Sequence, residues 1–450
     1  MPSSSGIRRS PGLLRAAPLL DSGRDGGPSL AVVVVAGAAR EWRDRMVDGL
    51  AERGAAADPR VLEALRAVPR HLFLPGVSAE QAYEDRAVVT KFEDWRPTSS
   101  ASQPSIVARM LDQLEVAPGH SVLEIGTGTG YNAALLAHLV GETGHVVTID
   151  IAADLADAAR ERLARTAVAR VDVICGDGAE GWAKDGPYDR IIVTAGSSDV
   201  APAWWEQLAP DGRLVLPLSL AGVQQCVAFA RRDDHLESRS VCDCGFMPLH
   251  GAMAHRDGHH PLPGLPGVAV DTRPGLGVDA EAVARALAQP GPVLDTGVRV
   301  TAAEVAGSLQ RWLAFRERGQ ARLGCTGTPE EIARSVVPAV LEFPLDEIRR
   351  HRATMILLGT GALAALDRGD RDGPDTADVA APWPLVGRGF GSAPSGVERL
   401  VDLVRAWDAA GRPTTEVRIV AYQGAEPPPV PSGAFVERAG HTAFVVIPRS

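Results

Sequence analysis

The residues with the clearest chemical use lie between Val122 and Tyr131, where Val122-Leu-Glu-Ile-Gly-Thr-Gly-Thr-Gly-Tyr131 joins a short apolar run to three alternate glycines. Glycine tolerates positive φ and lets a ligand lie against the backbone. The spacing is Gly126-x-Gly128-x-Gly130, with Glu124 just upstream. A dinucleotide turn has the spacing GxGxxG and seats a pyrophosphate on a helix N-terminus. An acid before the turn would repel that phosphate and suits a cation. S-adenosylmethionine carries a sulfonium cation and an amino-acid end but no phosphate, so it fits the pattern better. Asp150 ends the next apolar run, 20 residues past Gly130. A carboxylate there can accept both hydroxyls of a ribose. Asp177, followed by Gly178, stands after a third run. It could accept from an adenine amino group while the glycine leaves room for the ring. Thr127 and Tyr131 in the turn, and Ile151 beside Asp150, are expected to line the same ligand.

These residues need elements to hold them at one end of a sheet. Ser121–Ile125, Val146–Asp150, Val171–Cys175, Arg190–Thr194 and Arg213–Leu218 read as strands. Tyr131–Val140 and about 153–166 read as the helices between the first three. Alternating strands and helices imply an α/β fold with a doubly wound, mainly parallel sheet. Gln225–Ala230 and a strand near Ser240 are expected to complete it at one edge. Three amphipathic helices come first, over Glu41–Glu52, from Asp58-Pro59, and over Gln103–Leu114 with Ser102 as N-cap.

The ends of the chain read differently. Residues 1–39 are rich in Ser, Gly and Pro, and charges interrupt their apolar stretch, so a disordered leader without a targeting signal is expected. Residues 256–276 read as a Gly/Pro linker. Residues 277–450 are expected to form a separate α+β domain. In it Thr301-x-x-Glu304 and Ser395-x-x-Glu398 open helices, Asp367–Pro384 is a charged loop, and Glu416–Tyr422 and Thr442–Ile447 are β-type runs.

Composition limits the function. The net charge of -10, without a run of Lys or Arg, argues against a nucleic-acid partner. No apolar stretch reaches the ~20 residues of a membrane span. Five scattered cysteines suggest a reducing, cytoplasmic setting rather than a disulfide framework. Cys242-x-Cys244 with His250, His255, His259 and His260 lacks zinc-ligand spacing, so no metal is expected.

About residues 40–255 the sequence closely resembles the protein-L-isoaspartate O-methyltransferases. Ala67-Val-Pro-Arg-His-Leu-Phe-Leu-Pro75 resembles that family's N-terminal signature. Ser100-Ala-Ser-Gln-Pro104 resembles its substrate-side motif, with Ser100 where the family usually has Thr. The glycine turn, Gly176-Asp-Gly178, Pro187-Tyr-Asp-Arg-Ile191, Gln207–Pro217 and Phe246-Met-Pro-Leu249 follow in order. The resemblance implies a Rossmann-like class I S-adenosylmethionine methyltransferase acting on an Asp or isoaspartyl carboxylate of a peptide or protein. It puts Ser102 at the acceptor as the catalytic candidate, with Ser100 and Gln103 beside it. Cofactor contacts are implied at Glu124, Gly126, Thr127, Gly128, Gly130, Asp150, Ile151, Asp177 and Gly178.

The long C-terminal part resembles an actinobacterial branch associated with ribosomally made, lanthipeptide-type peptides and FxLD-type precursors. There a methylated aspartate collapses to a succinimide (aspartimide). Tailoring of such a precursor, recognised by residues 277–450, is therefore the first expectation. Isoaspartate repair, a small-molecule methyltransferase and a non-catalytic peptide-binding module on the same fold are the alternatives. Oligomeric state is open.

Overall fold

The computed structural model describes residues 30–93, 96–254, 258–273, 275–345, 348–369, 381–391, 396–413, 417–424 and 426–448. Its centre is a ten-stranded sheet. Ser121–Ile125 lies between His145–Asp150 on one side and Tyr188–Val193 on the other, and Val171–Cys175 lies beyond His145–Asp150. Leu208–Leu220 follows Tyr188–Val193, and these five strands are parallel. Buried Val, Ile and Leu fill the inner strands, as expected where helices cover both faces. The chain runs outward from Ser121–Ile125 through two strands, then returns to its other side. The crevice at that reversal, past the strand C-termini, is where open α/β sheets bind ligands.

Val223–Arg231 and His235–Asp243 continue the sheet as antiparallel strands. They are not its edge. Val417–Gln423 pairs with His235–Asp243, Thr442–Pro448 pairs with Val417–Gln423, and Phe435–Arg438 closes that side. Ile419, Phe444 and Val446 share one buried cluster with Leu216, Val227 and Phe229. The two C-terminal β-type runs are strands as expected, but they belong to the first sheet and not to a separate domain.

A second, eight-stranded antiparallel sheet takes up the intervening chain. It runs from His259–Pro261 and Val268–Thr272 through Gln320–Gly327, Arg350–Gly359, Ala362–Arg368 and Trp383–Gly391 to Pro290–Val300, with Leu341–Pro344 paired to Arg350–Gly359 as the eighth strand. The expected linker therefore contains two strands. Its glycines and prolines supply the turn, and the apolar Val268-Ala-Val270 joins the core beneath. Helix Gly396–Ala409 covers one face with Val397, Leu400, Val404 and Trp407, and helix Ala280–Leu287 covers the other. Thr301 and Glu304 form the expected capping box. Asp367, placed in a loop by composition, is a buried strand residue paired with Arg388.

At the N-terminus, helix Leu30–Glu52 starts ten residues before the expected boundary at Arg40. The rest of the expected leader, 1–29, lies outside the described residues. Among the described residues no helix is long and apolar enough to cross a membrane.

Candidate active site

A cavity of about 560 Å³ opens at the sheet's reversal point, within the usual range for small-ligand sites. The glycine turn forms its floor. Gly126 has φ +100°, and a Cβ there would sit 2.5 Å from Thr194 Oγ1. That hydroxyl donates to the Ile125 and Gly126 carbonyls, at 3.0 and 2.7 Å. Only glycine satisfies both the conformation and the contact. Gly128 and Gly130 also have positive φ, and Gly130 leads directly into helix Tyr131–Val140.

Asp150 stands at the cavity wall. One carboxylate oxygen accepts from Gly128 N at 2.8 Å and the other from Ala152 N at 3.0 Å. These bonds fix the carboxylate against the turn. Each oxygen keeps acceptor capacity for a ligand.

Glu124 is placed differently from the expectation. It is fully buried under the turn and does not line the cavity. It accepts from Asn132 Nδ2 at 2.7 Å and from Thr148 Oγ1 at 2.6 Å, and Thr148 in turn meets Thr127 Oγ1 at 2.8 Å. Glu124 thus braces the strand, the turn and the helix. Burial raises its pKa to about 7, against the two hydrogen bonds that favour the anion.

Asp177 also turns to structure. Its oxygens accept from Ala179 N and Ala252 N, at 2.9 and 2.7 Å, closing the loop that follows Leu249. Gly178 lines the cavity and Asp177 does not. Thr127 and Ile151 line it.

The Ser100–Pro104 motif reaches the cavity at the end of a hairpin, Val88–Glu93 with Arg96–Ala101. Ser100 and Ser102 line the cavity, whereas Gln103 does not. Ser102 is not the helix N-cap. The helix is Pro104–Leu114, capped by Gln103 without a side-chain bond. Pro104 sits at the first helical position, where a missing N–H costs nothing. Ser102 is therefore free of capping duty. Lys91 on the hairpin donates to Asp154 Oδ1 across the mouth at 2.9 Å. Phe246, Met247 and His250 wall the far side, held by Gly196 N to the Met247 carbonyl at 2.7 Å.

Arg70 was not singled out from the sequence. It lines the cavity at 1% exposure, its Nε donating to the Ala82 carbonyl at 2.9 Å and its guanidinium 5.2 Å from the Tyr131 ring centre. A signal existed: it is the one charge inside Val68-Pro-Arg-His-Leu-Phe73, which is otherwise mostly apolar.

Among the described residues the cysteines form no ligand cluster with the histidines. Cys226 and Cys242 face each other across two strands, their thiols against Gln113 Oε1. His259 pairs with Asp271, and His255 lies outside the described residues. One group of possible ligand atoms among the described residues, from His145, Asp172 and Asp185, lies within 4.8 Å. His145 and Asp172 begin their strands, at the end of the sheet opposite the cavity.

Residues 41–254 match the family described as Protein-L-isoaspartate(D-aspartate) O-methyltransferase (PCMT). A protein-L-isoaspartate O-methyltransferase of Alkalilimnicola ehrlichii is 44% identical over 214 residues, covering 47% of this chain and 93% of the relative. Those of Ectopseudomonas mendocina and Methanoculleus marisnigri are 44% and 40% identical, over 97% and 93% of their lengths and 47% of this chain. The match ends where the second sheet begins.

Proposed function

This chain belongs to the protein-L-isoaspartate O-methyltransferase family, and we propose that it esterifies an Asp or isoaspartyl carboxylate of a peptide or protein, using S-adenosylmethionine. The observation that supports this most is one cavity lined by both the glycine turn with Asp150 and the hairpin serines Ser100 and Ser102. The donor site is suited to the family's cofactor. The turn holds its positive-φ glycines at the cavity floor, and Asp150 keeps acceptor capacity for ribose hydroxyls. S-adenosylmethionine supplies an electrophilic methyl group on sulfur.

The protein's part is then mostly placement. A carboxylate acceptor has an unperturbed pKa near ~4 and is already ionised at neutral pH. No general base is required. Ser102 is the group we assign to orient the acceptor oxygen by hydrogen bonding. Closure by the hairpin, tied by Lys91 to Asp154, excludes water that would otherwise solvate the nucleophile. The ester formed is open to attack by the next backbone nitrogen, which expels methanol and leaves a succinimide.

A second reading is supported by the chain outside the family match. Its eight-stranded sheet lies outside the stretch that covers 93% of the Alkalilimnicola ehrlichii relative. In that reading the enzyme tailors a ribosomally made peptide and residues 277–450 help recognise the precursor. Intact mass after incubation with S-adenosylmethionine tests both. Gain of one methylene on an isoaspartyl peptide, followed by loss of methanol, supports repair. The same on an ordinary Asp-containing precursor alone supports tailoring. Methylation of neither, with S-adenosylhomocysteine still bound, would leave a non-catalytic binding module.

A further inference from the structure

Arg70 carries two terminal guanidinium nitrogens that are buried and without a hydrogen-bond partner. Guanidinium does not lose its proton in proteins. A buried cation left uncompensated is strongly destabilising. Asp85 is near enough to attract the Arg70 cation, but its carboxylate accepts its hydrogen bonds elsewhere, from Arg53 Nη2 at 3.0 Å and Ser105 N at 2.8 Å. Two further residues that line the same cavity also carry a buried, unpartnered hydroxyl, Tyr131 Oη and Thr98 Oγ1. All three groups can donate. They come from three separate elements: the turn before Leu74, the start of the helix after the glycines, and the hairpin. Donors from residues that line one cavity, each without an acceptor of its own, describe the complement of an anion. With Nε held by the Ala82 carbonyl, the fork of the two terminal nitrogens stays free, and that edge matches a carboxylate in bidentate geometry.

We propose that Arg70, with Tyr131 and Thr98, is the carboxylate-binding corner of this cavity. The proposal rests on the methyltransferase reading, which supplies two molecules bearing a carboxylate: the methionyl end of the donor and the acceptor peptide. Tyr131 ties the corner to the glycine turn, and Thr98 ties it to the acceptor hairpin. Phe73 packs on the Tyr131 ring, with centroids 5.7 Å apart, and fixes the corner's back wall.

Calorimetry on the full chain separates the sources. S-adenosylhomocysteine carries the amino-acid carboxylate, and methylthioadenosine lacks it. An isoaspartyl peptide, added with S-adenosylhomocysteine present, reports the acceptor. Arg70→Gln should weaken one carboxylate-bearing ligand on the order of tenfold, with methylthioadenosine unchanged. Loss confined to S-adenosylhomocysteine assigns the corner to the donor, and loss confined to the peptide assigns it to the acceptor. Thr98→Val and Tyr131→Phe each delete one hydroxyl and should weaken the same ligand severalfold. They decide the matter if Arg70→Gln fails to fold. Unchanged affinity for both ligands in the folded variants would overturn the proposal. A wild-type protein that binds S-adenosylhomocysteine but methylates no peptide would overturn the functional reading alone. If it also binds no peptide, an unchanged S-adenosylhomocysteine constant across the variants sinks the corner as well.

Discussion

Glu124 shows how a residue can be legible by position and still misread by role. The sequence places an acid before the glycine turn, and electrostatics suggests that it faces a cation. In the fold it is fully enclosed and its two oxygens are engaged by Asn132 and Thr148. A side chain's facing follows from packing on both sides of the strand, which a linear pattern does not contain. The placement has a pH consequence. Its pKa is raised from 4.5 to about 7 in the fold, so between those values the native state holds a proton that the unfolded chain has released. Stability therefore falls as pH rises through this window, and levels above it. The full effect is at most about 3 kcal/mol. Glu124→Gln should remove that slope: its melting temperature relative to wild type should rise from pH 5 to pH 8 (values roughly spanning the window). A constant difference across the window would refute the assignment. Arg70 was missed for the opposite reason. Its motif was legible, but the lack of partners at its two terminal nitrogens is a property of the fold around it.

At the level of elements, the strands around the glycine turn were legible because they are short apolar runs ended by local turn signals. The last two strands were equally visible, yet their sheet was not. A β-type run specifies its own conformation, whereas its partner is chosen across nearly 200 residues by the edge left open at His235–Asp243. The same gap explains the linker, where Val268–Thr272 could be a strand only once Gln320–Gly327 was there to pair with it. The tail's role can be tested. Phe444 is fully buried against the core of the first sheet. Phe444→Ala should cost about 3–5 kcal/mol in denaturant unfolding. Removing 417–450 should expose the edge of His235–Asp243 and give aggregated protein. A truncated chain that stays monomeric and binds S-adenosylhomocysteine normally would show that the three strands are dispensable. Deleting everything after residue 255 is a poor test of precursor recognition, because it also strips three strands from the catalytic sheet.

Over the whole molecule, the two sheets are joined by charges held out of water. Arg273 follows strand Val268–Thr272 of the second sheet, and Glu437 lies on the outer strand of the first. They approach to 3.6 Å with side chains 8% and 11% exposed. Arg273 also donates to the Ala314 and Glu317 carbonyls, at 2.8 and 3.0 Å, and lies over the Phe435 ring. Burial lowers the pKa of Arg273 and raises that of Glu437, against their mutual attraction. Both directions disfavour the charged forms, so desolvation outweighs the attraction at each end. Such a pair adds little net stability, but removing one partner strands the other. Arg311 and Asp243 form a second ionic link, between the helix after the capping box and the first sheet. Glu437→Ala should therefore destabilise by about 3–5 kcal/mol, and Glu437→Gln, which keeps an acceptor for Arg273, by less. Five strands separate Glu437's strand from Tyr188–Val193, the nearest strand at the cavity, so S-adenosylhomocysteine affinity in the folded variants should match wild type. Calorimetric melting and ligand titration of the same samples check both halves. Loss of affinity at unchanged stability would mean that the joint between the sheets shapes the active site rather than only holding the molecule together.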